Sequence, residues 1–120
     1  MPPARRTDPA AGAAALDAWR ADPDAPDRRT LATAVRHTTA LLEDRAPGRS
    51  VEVRVPPFAA VQCVAGPVHR RGTPPAVVET DAQTWLALAT GGLGWRAAVD
   101  EGRVRVSGQR TDLAPYLPLA

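Results

Sequence analysis

Between residues 28 and 45 the apolar side chains return every three or four positions. Leu31, Ala34, Val35, Thr38, Leu41 and Leu42 form one continuous stripe, the spacing of an amphipathic helix. Asp27 stands at its start as a cap, and Ala46-Pro47-Gly48 stops it. A shorter, Ala-heavy helix is expected from Pro9 to about Ala21, opened by Asp8-Pro9 and carrying Leu16 and Trp19 on one face. Asp22-Pro23-Asp24-Ala25-Pro26 breaks it. The period then changes from 3.6 to two. Val51-Glu52-Val53-Arg54-Val55 alternates strictly, valines on one side and charges on the other. After the turn at Pro56-Pro57, residues 59–65 form a more apolar strand, with Val61 and Cys63 on one face and Gln62 and Val64 on the other. Its apolar content predicts a central place in the sheet. Residues 66–75 read as a loop by their Gly and Pro content. Val77-Val78-Glu79-Thr80 is a third strand. Asp81 caps a helix carrying Trp85, Leu86, Leu88 and Ala89, which Gly91-Gly92 closes. A short helix with Trp95, Ala98 and Val99 on one face follows Gly94, then a fourth strand over residues 103–107. The chain ends in a capped turn or short helix with Leu113, Tyr116 and Leu117 facing one way.

A hairpin-like pair of strands followed by strands with helices between them gives an α+β or mixed α/β class. Each strand has one polar face, so helices should cover one side of the sheet only. Residues 1–9 are polar and Pro-rich and are expected to be disordered, leaving residues 10–120 as a single domain. Hydrophobic residues make up 44% of the chain, but 24 of them are Ala and only five residues are aromatic. That is material for one modest core.

Charge and chemistry narrow the function mainly by exclusion. The net charge is +2 and every basic side chain is Arg, with no Lys, Ile or Asn in the chain. That is the bias of a GC-rich coding sequence, so Arg here is the default cation. The pairs Arg5-Arg6, Arg28-Arg29 and Arg70-Arg71 are scattered among acids, a solvated surface and not a nucleic-acid footprint. No apolar core of a signal peptide follows Met1 and no stretch is long and apolar enough to cross a bilayer, so a cytoplasmic protein without integral membrane association is expected. The lone Cys63 excludes an internal disulfide and reads as a small buried hydrophobe. Asp22, Asp24 and Asp27 lack the Gly and distal Glu of a calcium loop. His37 lies off the helix stripe and reads as a solvated residue. His37 and His69 are the only histidines, no carboxylate pair sits in an apolar setting, and neither Ser50 nor Ser107 occupies a nucleophile elbow. No catalytic residue, metal site or cofactor is expected.

What remains is apolar. Trp85, Leu86, Leu88, Leu93, Trp95 and Val99 concentrate the bulk in two adjoining short helices, with Tyr116 and Leu117 adding to it at the end. Two readings are open, an ordinary core or a ligand cavity. At this point the run Gly72-Thr73-Pro74-Pro75-Ala76-Val77-Val78-Glu79-Thr80-Asp81 matters, with Thr84-Trp85-Leu86, Ala89-Thr90-Gly91, Trp95, Ala98-Val99, Gly102-Arg103-Val104 and Ser107-Gly108. Together they resemble the bacterial, mainly actinobacterial, branch of the sterol carrier protein superfamily. Val51 to Phe58 with Ala60-Val61-Gln62-Cys63 is similar to the same family's first hairpin. The resemblance spans roughly residues 28–119.

It implies a sandwich of a mostly antiparallel sheet of four to five strands with helices packed on one face. It also implies a non-enzymatic carrier that holds a lipid, fatty acid or fatty acyl-CoA between the two layers. On that expectation Val61 and Cys63 form the sheet wall. Trp85, Leu86, Leu88, Leu93, Trp95 and Val99 form the helical wall, and Tyr116 and Leu117 the closing end. The alternative is a small accessory domain that binds a protein partner and no lipid.

Overall fold

The structure is a computed structural model that describes residues 7–66, 76–109 and 111–120. Its elements are α1 (Pro9–Ala21), α2 (Arg28–Arg45), β1 (Val51–Val55), β2 (Ala59–Cys63), β3 (Ala76–Thr80), α3 (Ala82–Thr90), α4 (Trp95–Asp100) and β4 (Val104–Ser107). A single 3₁₀ turn, Ala114–Tyr116, follows. The same local device starts three of the helices. Asp8, Asp27 and Asp81 each accept the backbone N–H three residues on, at 3.0, 2.8 and 2.8 Å. Each satisfies one of the donors a helix start leaves orphaned. The Thr30 N–H and hydroxyl hold the Asp27 carboxyl below its ordinary value. At the end of α3, Gly91 takes the left-handed conformation (φ 83°) that a side chain resists, and its N–H closes on the Leu88 carbonyl.

The strands form one sheet in the order β2-β1-β3-β4. β1 runs antiparallel to β2 and parallel to β3, and β3 runs antiparallel to β4. Val51 lies opposite both Cys63 and Ala76. The end of β2 and the starts of β1 and β3 therefore lie at the same end of the sheet. Register sorts the side chains cleanly. Val51, Val53, Val55, Cys63, Ala76, Val78, Thr80 and Val104 share the covered face and are buried. Arg54, Ala60, Gln62 and Arg105 point the other way and are exposed, and Glu52 pairs with Arg54 there. The α+β sandwich with helices on one face is therefore as the sequence reads.

Two details differ from it. The strand at residues 59–63 is an edge strand and not a central one. Its apolar content comes largely from Ala59 and Ala60, small residues that an exposed strand tolerates, and Ala60 and Gln62 are exposed. It also ends at Cys63, because Val64 leaves the extended region (φ 66°). The Val64 N–H donates to the Ala46 carbonyl at 2.7 Å, and its carbonyl accepts from the Ser50 N–H and hydroxyl at 3.1 and 2.6 Å. Three hydrogen bonds hold this β-branched residue in a conformation it otherwise avoids.

His37 is the second difference. It is half-buried against α1, where Gly12 leaves room for its ring. A stripe drawn for α2 alone cannot anticipate a second helix on its other flank. That helix is also tied to α3: the Trp19 indole donates to Gln83 Oε1 at 2.8 Å, and Gln83 Nε2 donates to the Pro23 carbonyl at 2.9 Å. Residues 1–6 of the expected disordered start, and residues 67–75 of the expected loop with His69, Arg70 and Arg71, lie outside the described residues.

Candidate functional site

The ten residues expected to line a cavity separate into two groups. Cys63, Trp85, Leu86 and Leu88 are at most 1% exposed and belong to the packed core. Trp85 is also tethered there. Its Nε1–H donates to Thr38 Oγ1 at 2.8 Å, and that hydroxyl donates to the Ala34 carbonyl at 2.8 Å. A ring fixed by a buried hydrogen bond fills space instead of bordering it. Val61, Leu93, Trp95, Val99, Tyr116 and Leu117 are half-buried and pack on that core from its rim.

Space opens at one corner of the rim. A groove of about 270 Å³ is lined by Trp95, Arg96, Val99, Val106, Thr111, Asp112 and Ala114. It lies between α4, the second half of β4 and the segment entering the 3₁₀ turn. Trp95 and Val99 are the two expected residues that line it. Val106 is the one that sequence reasoning missed with a signal in hand. It is on the covered face, opposite Val78, yet is 41% exposed, the only large apolar side chain so open among the described residues. The alternation of Val104 and Val106 already placed it on that face. Nothing local marks Arg96, Thr111, Asp112 or Ala114, because the fold alone brings them to β4. Asp112 is partly engaged, its Oδ1 accepting the Ala114 N–H at 2.9 Å.

Two further depressions, of about 370 and 300 Å³, both touch Glu79 and Arg105 on the open sheet face. The larger is also lined by Val77 and Val106, while the smaller is bordered by charged and polar groups; the groove beside α4 is the one in which Val106 meets the large apolar side chains Trp95 and Val99.

Cys63 is buried in the core and His37 is half-buried against α1. Burial, with the negative charge of Glu43 nearby, pushes the Cys63 thiol up to about 11, so it is a neutral thiol at physiological pH and a poor nucleophile. Among the described residues no three His, Cys, Asp or Glu side chains gather where a metal ion would be held, and no helix is long and apolar enough to cross a membrane. No side-chain nitrogen or oxygen buried among them lacks a hydrogen-bond partner.

The architecture is a small one-sided α+β sandwich with a groove at its rim. Residues 27–119 match the family described as bacterial SCP ortholog, SCP being sterol carrier protein, and the chain belongs to that family. The match begins at the cap of α2 and leaves α1 outside it. A comparison with curated proteins gave no match.

Proposed function

We propose that the protein is a non-enzymatic carrier of a hydrophobic or amphipathic small molecule of the lipid and fatty-acid kind, held in the groove between α4, β4 and the C-terminal segment. The observation that carries the reading is Val106. A large apolar side chain on the covered face of a sheet is left uncovered beside Trp95 and Val99, an arrangement that loses free energy in water and recovers it when an apolar ligand covers the patch. Membership of a sterol carrier family supports it. The neutral Cys63 thiol and the packed His37 fit a protein that binds without turnover. Trp95 reports the event, since Trp19 and Trp85 are both buried. Ligand should shift Trp emission in the wild type and not in Trp95→Phe, and Val99→Arg should abolish binding while the circular dichroism spectrum persists. Mass spectrometry of an organic extract of the freshly purified protein identifies what it carries. If no fatty acid, acyl-CoA or sterol perturbs Trp emission up to its solubility limit, the carrier reading fails. An accessory domain for a protein partner then takes its place.

A further inference from the structure

The sheet is open along β4. That strand ends the strand order, and Arg105, Val106 and Ser107 on it are exposed. Among the described residues, no backbone hydrogen bond from outside the β3 ladder reaches Val104 to Ser107. The groove on the covered face and the larger depression on the open face both extend to Val106, so space lies on either side of the strand. Proteins usually guard such an edge with a lysine, a proline or a bulge. β4 has none of these: it reads Val-Arg-Val-Ser, and its register with β3 runs unbroken from Thr80 opposite Val104 to Val77 opposite Ser107. The opposite edge strand, β2, presents no large apolar side chain in the open, whereas β4 presents Val106.

We propose that a second copy of this chain fills that edge, the two β4 strands pairing antiparallel about a two-fold axis at Val106. The strand is then its own complement. Residues opposite each other in an antiparallel pair share a face, so Val106 meets Val106 of the second copy on the covered side. On the open side Arg105 meets Ser107, twice. Charge picks this register. An axis at Arg105 sets two guanidiniums directly opposite each other, and an axis at Val104 sets Arg105 against Arg103; like charges so placed destabilise a sheet. With the axis at Val106, each Arg105 has Ser107 of the second copy on one side and its own chain's Glu79 on the other. An axis at Ser107 would need Gly108 in the strand, and Gly108 (φ 88°) has left the extended region. A two-fold axis normal to the sheet keeps both covered faces on one side, so the two grooves lie next to each other across the joint. The pairing uses neither Trp95 nor Val99 and stands or falls apart from the carrier reading.

Sedimentation equilibrium on the ligand-free chain, raised to about 1 mM to reach the weak association of a small interface, should show monomer and dimer in exchange. Ser107→Glu sets a carboxylate against each Arg105 of the joint. It should tighten the dimer by up to about 25-fold, two exposed ion pairs at up to about fivefold each. Ser107→Arg should abolish it. Cross-linking tests the register. Opposite residues lie about 4.5–5.5 Å apart in Cα, within the span of a disulfide, so Val106→Cys should form a covalent dimer on mild oxidation. Ser107→Cys should not, because its counterpart lies a further two residues, about 7 Å, along the edge. Both positions are exposed and Cys63 is buried, so random collision would not tell the two variants apart. Equal cross-linking overturns the register. A strict monomer, or a dimer that neither Ser107 variant shifts, overturns the pairing, leaves the carrier reading standing and frees the edge for a strand of another protein.

Discussion

Gly12→Ala sets two known effects against each other. Gly12 lies inside α1, and replacing a helix-interior glycine by alanine normally stabilises by about 1 kcal/mol. Here the added methyl would overlap Nδ1 and Cγ of His37 and lie 2.7 Å from its Cβ. Turning the ring about its own bonds does not relieve a contact with Cβ, so α1 must move away from α2. Over-packing of this kind costs about 1–3 kcal/mol, and this overlap lies at the upper end because the Cβ is fixed to the α2 backbone. The clash should win. A net loss of about 1–2 kcal/mol corresponds to a fall in Tm of roughly 5–10 °C for a domain of this size. Thermal and urea denaturation of Gly12→Ala, His37→Ala and the double variant form the assay. Removing the ring gives the methyl its space, so the double variant should be more stable than the two single losses added together, with a coupling of about 1 kcal/mol or more. If Gly12→Ala alone raises Tm, helix propensity has won and the close packing of α1 on α2 is not as described.

Thr38→Val keeps the shape of the side chain but leaves the buried Trp85 indole N–H without its acceptor. It should cost about 1–3 kcal/mol in urea denaturation, with Thr38→Ser close to wild type; equal stability of the valine variant would remove the tether from the argument. Trp19→Ala deletes a nearly buried ring and its bond to Gln83, and should cost about 3 kcal/mol or more although α1 lies outside the family match. Cys63 should fail to react with an aromatic disulfide reagent until the protein unfolds. Its folded pKa, about 11, stands above the unfolded value of about 8.5. The thiol's contribution to stability is therefore complete below about pH 8.5 and is lost as pH rises toward 11, by up to about 3 kcal/mol. Cys63→Ala should flatten that alkaline slope.

Local order was legible where one short segment decides it. The caps at Asp8, Asp27 and Asp81 and the period changes around them give α1, α2, β1 and α3 nearly to the residue. Which strands are neighbours is decided elsewhere. β1 and β3 pair in parallel, with the end of β2 and the start of β3 at the same end of the sheet, and the sequence between them carries no sign of it. The placement of β2 was misread for a related reason. Apolar content does not distinguish a strand buried on both faces from one built of alanines with an open face. The site divides in the same way. Apolar side chains on α3 were legible as bulk, but whether bulk lines a hole depends on partners far along the chain, such as Thr38 for Trp85. Val106 was within reach of the alternation; Arg96 and Asp112 were not.

The groove sits where α4 meets β4. Val51, Val53, Val55 and Val78 are at most 1% exposed and Val104 is buried, whereas Val106, on the same face, is open beside Trp95 and Val99. The chain then returns past the gap. Leu113 and Leu119 anchor it in the core, Arg45 donates to the carbonyls of Tyr116 and Pro118 at 3.1 and 2.6 Å, and the Leu119 N–H donates to Ala89 at 2.7 Å. Ala114, next to the buried Leu113, lines the groove from this segment. Affinity and stability should therefore separate at the rim. Substitutions at Arg96 or Val106 change binding with little effect on folding, whereas substitutions at Trp85 or Leu88 weaken both together.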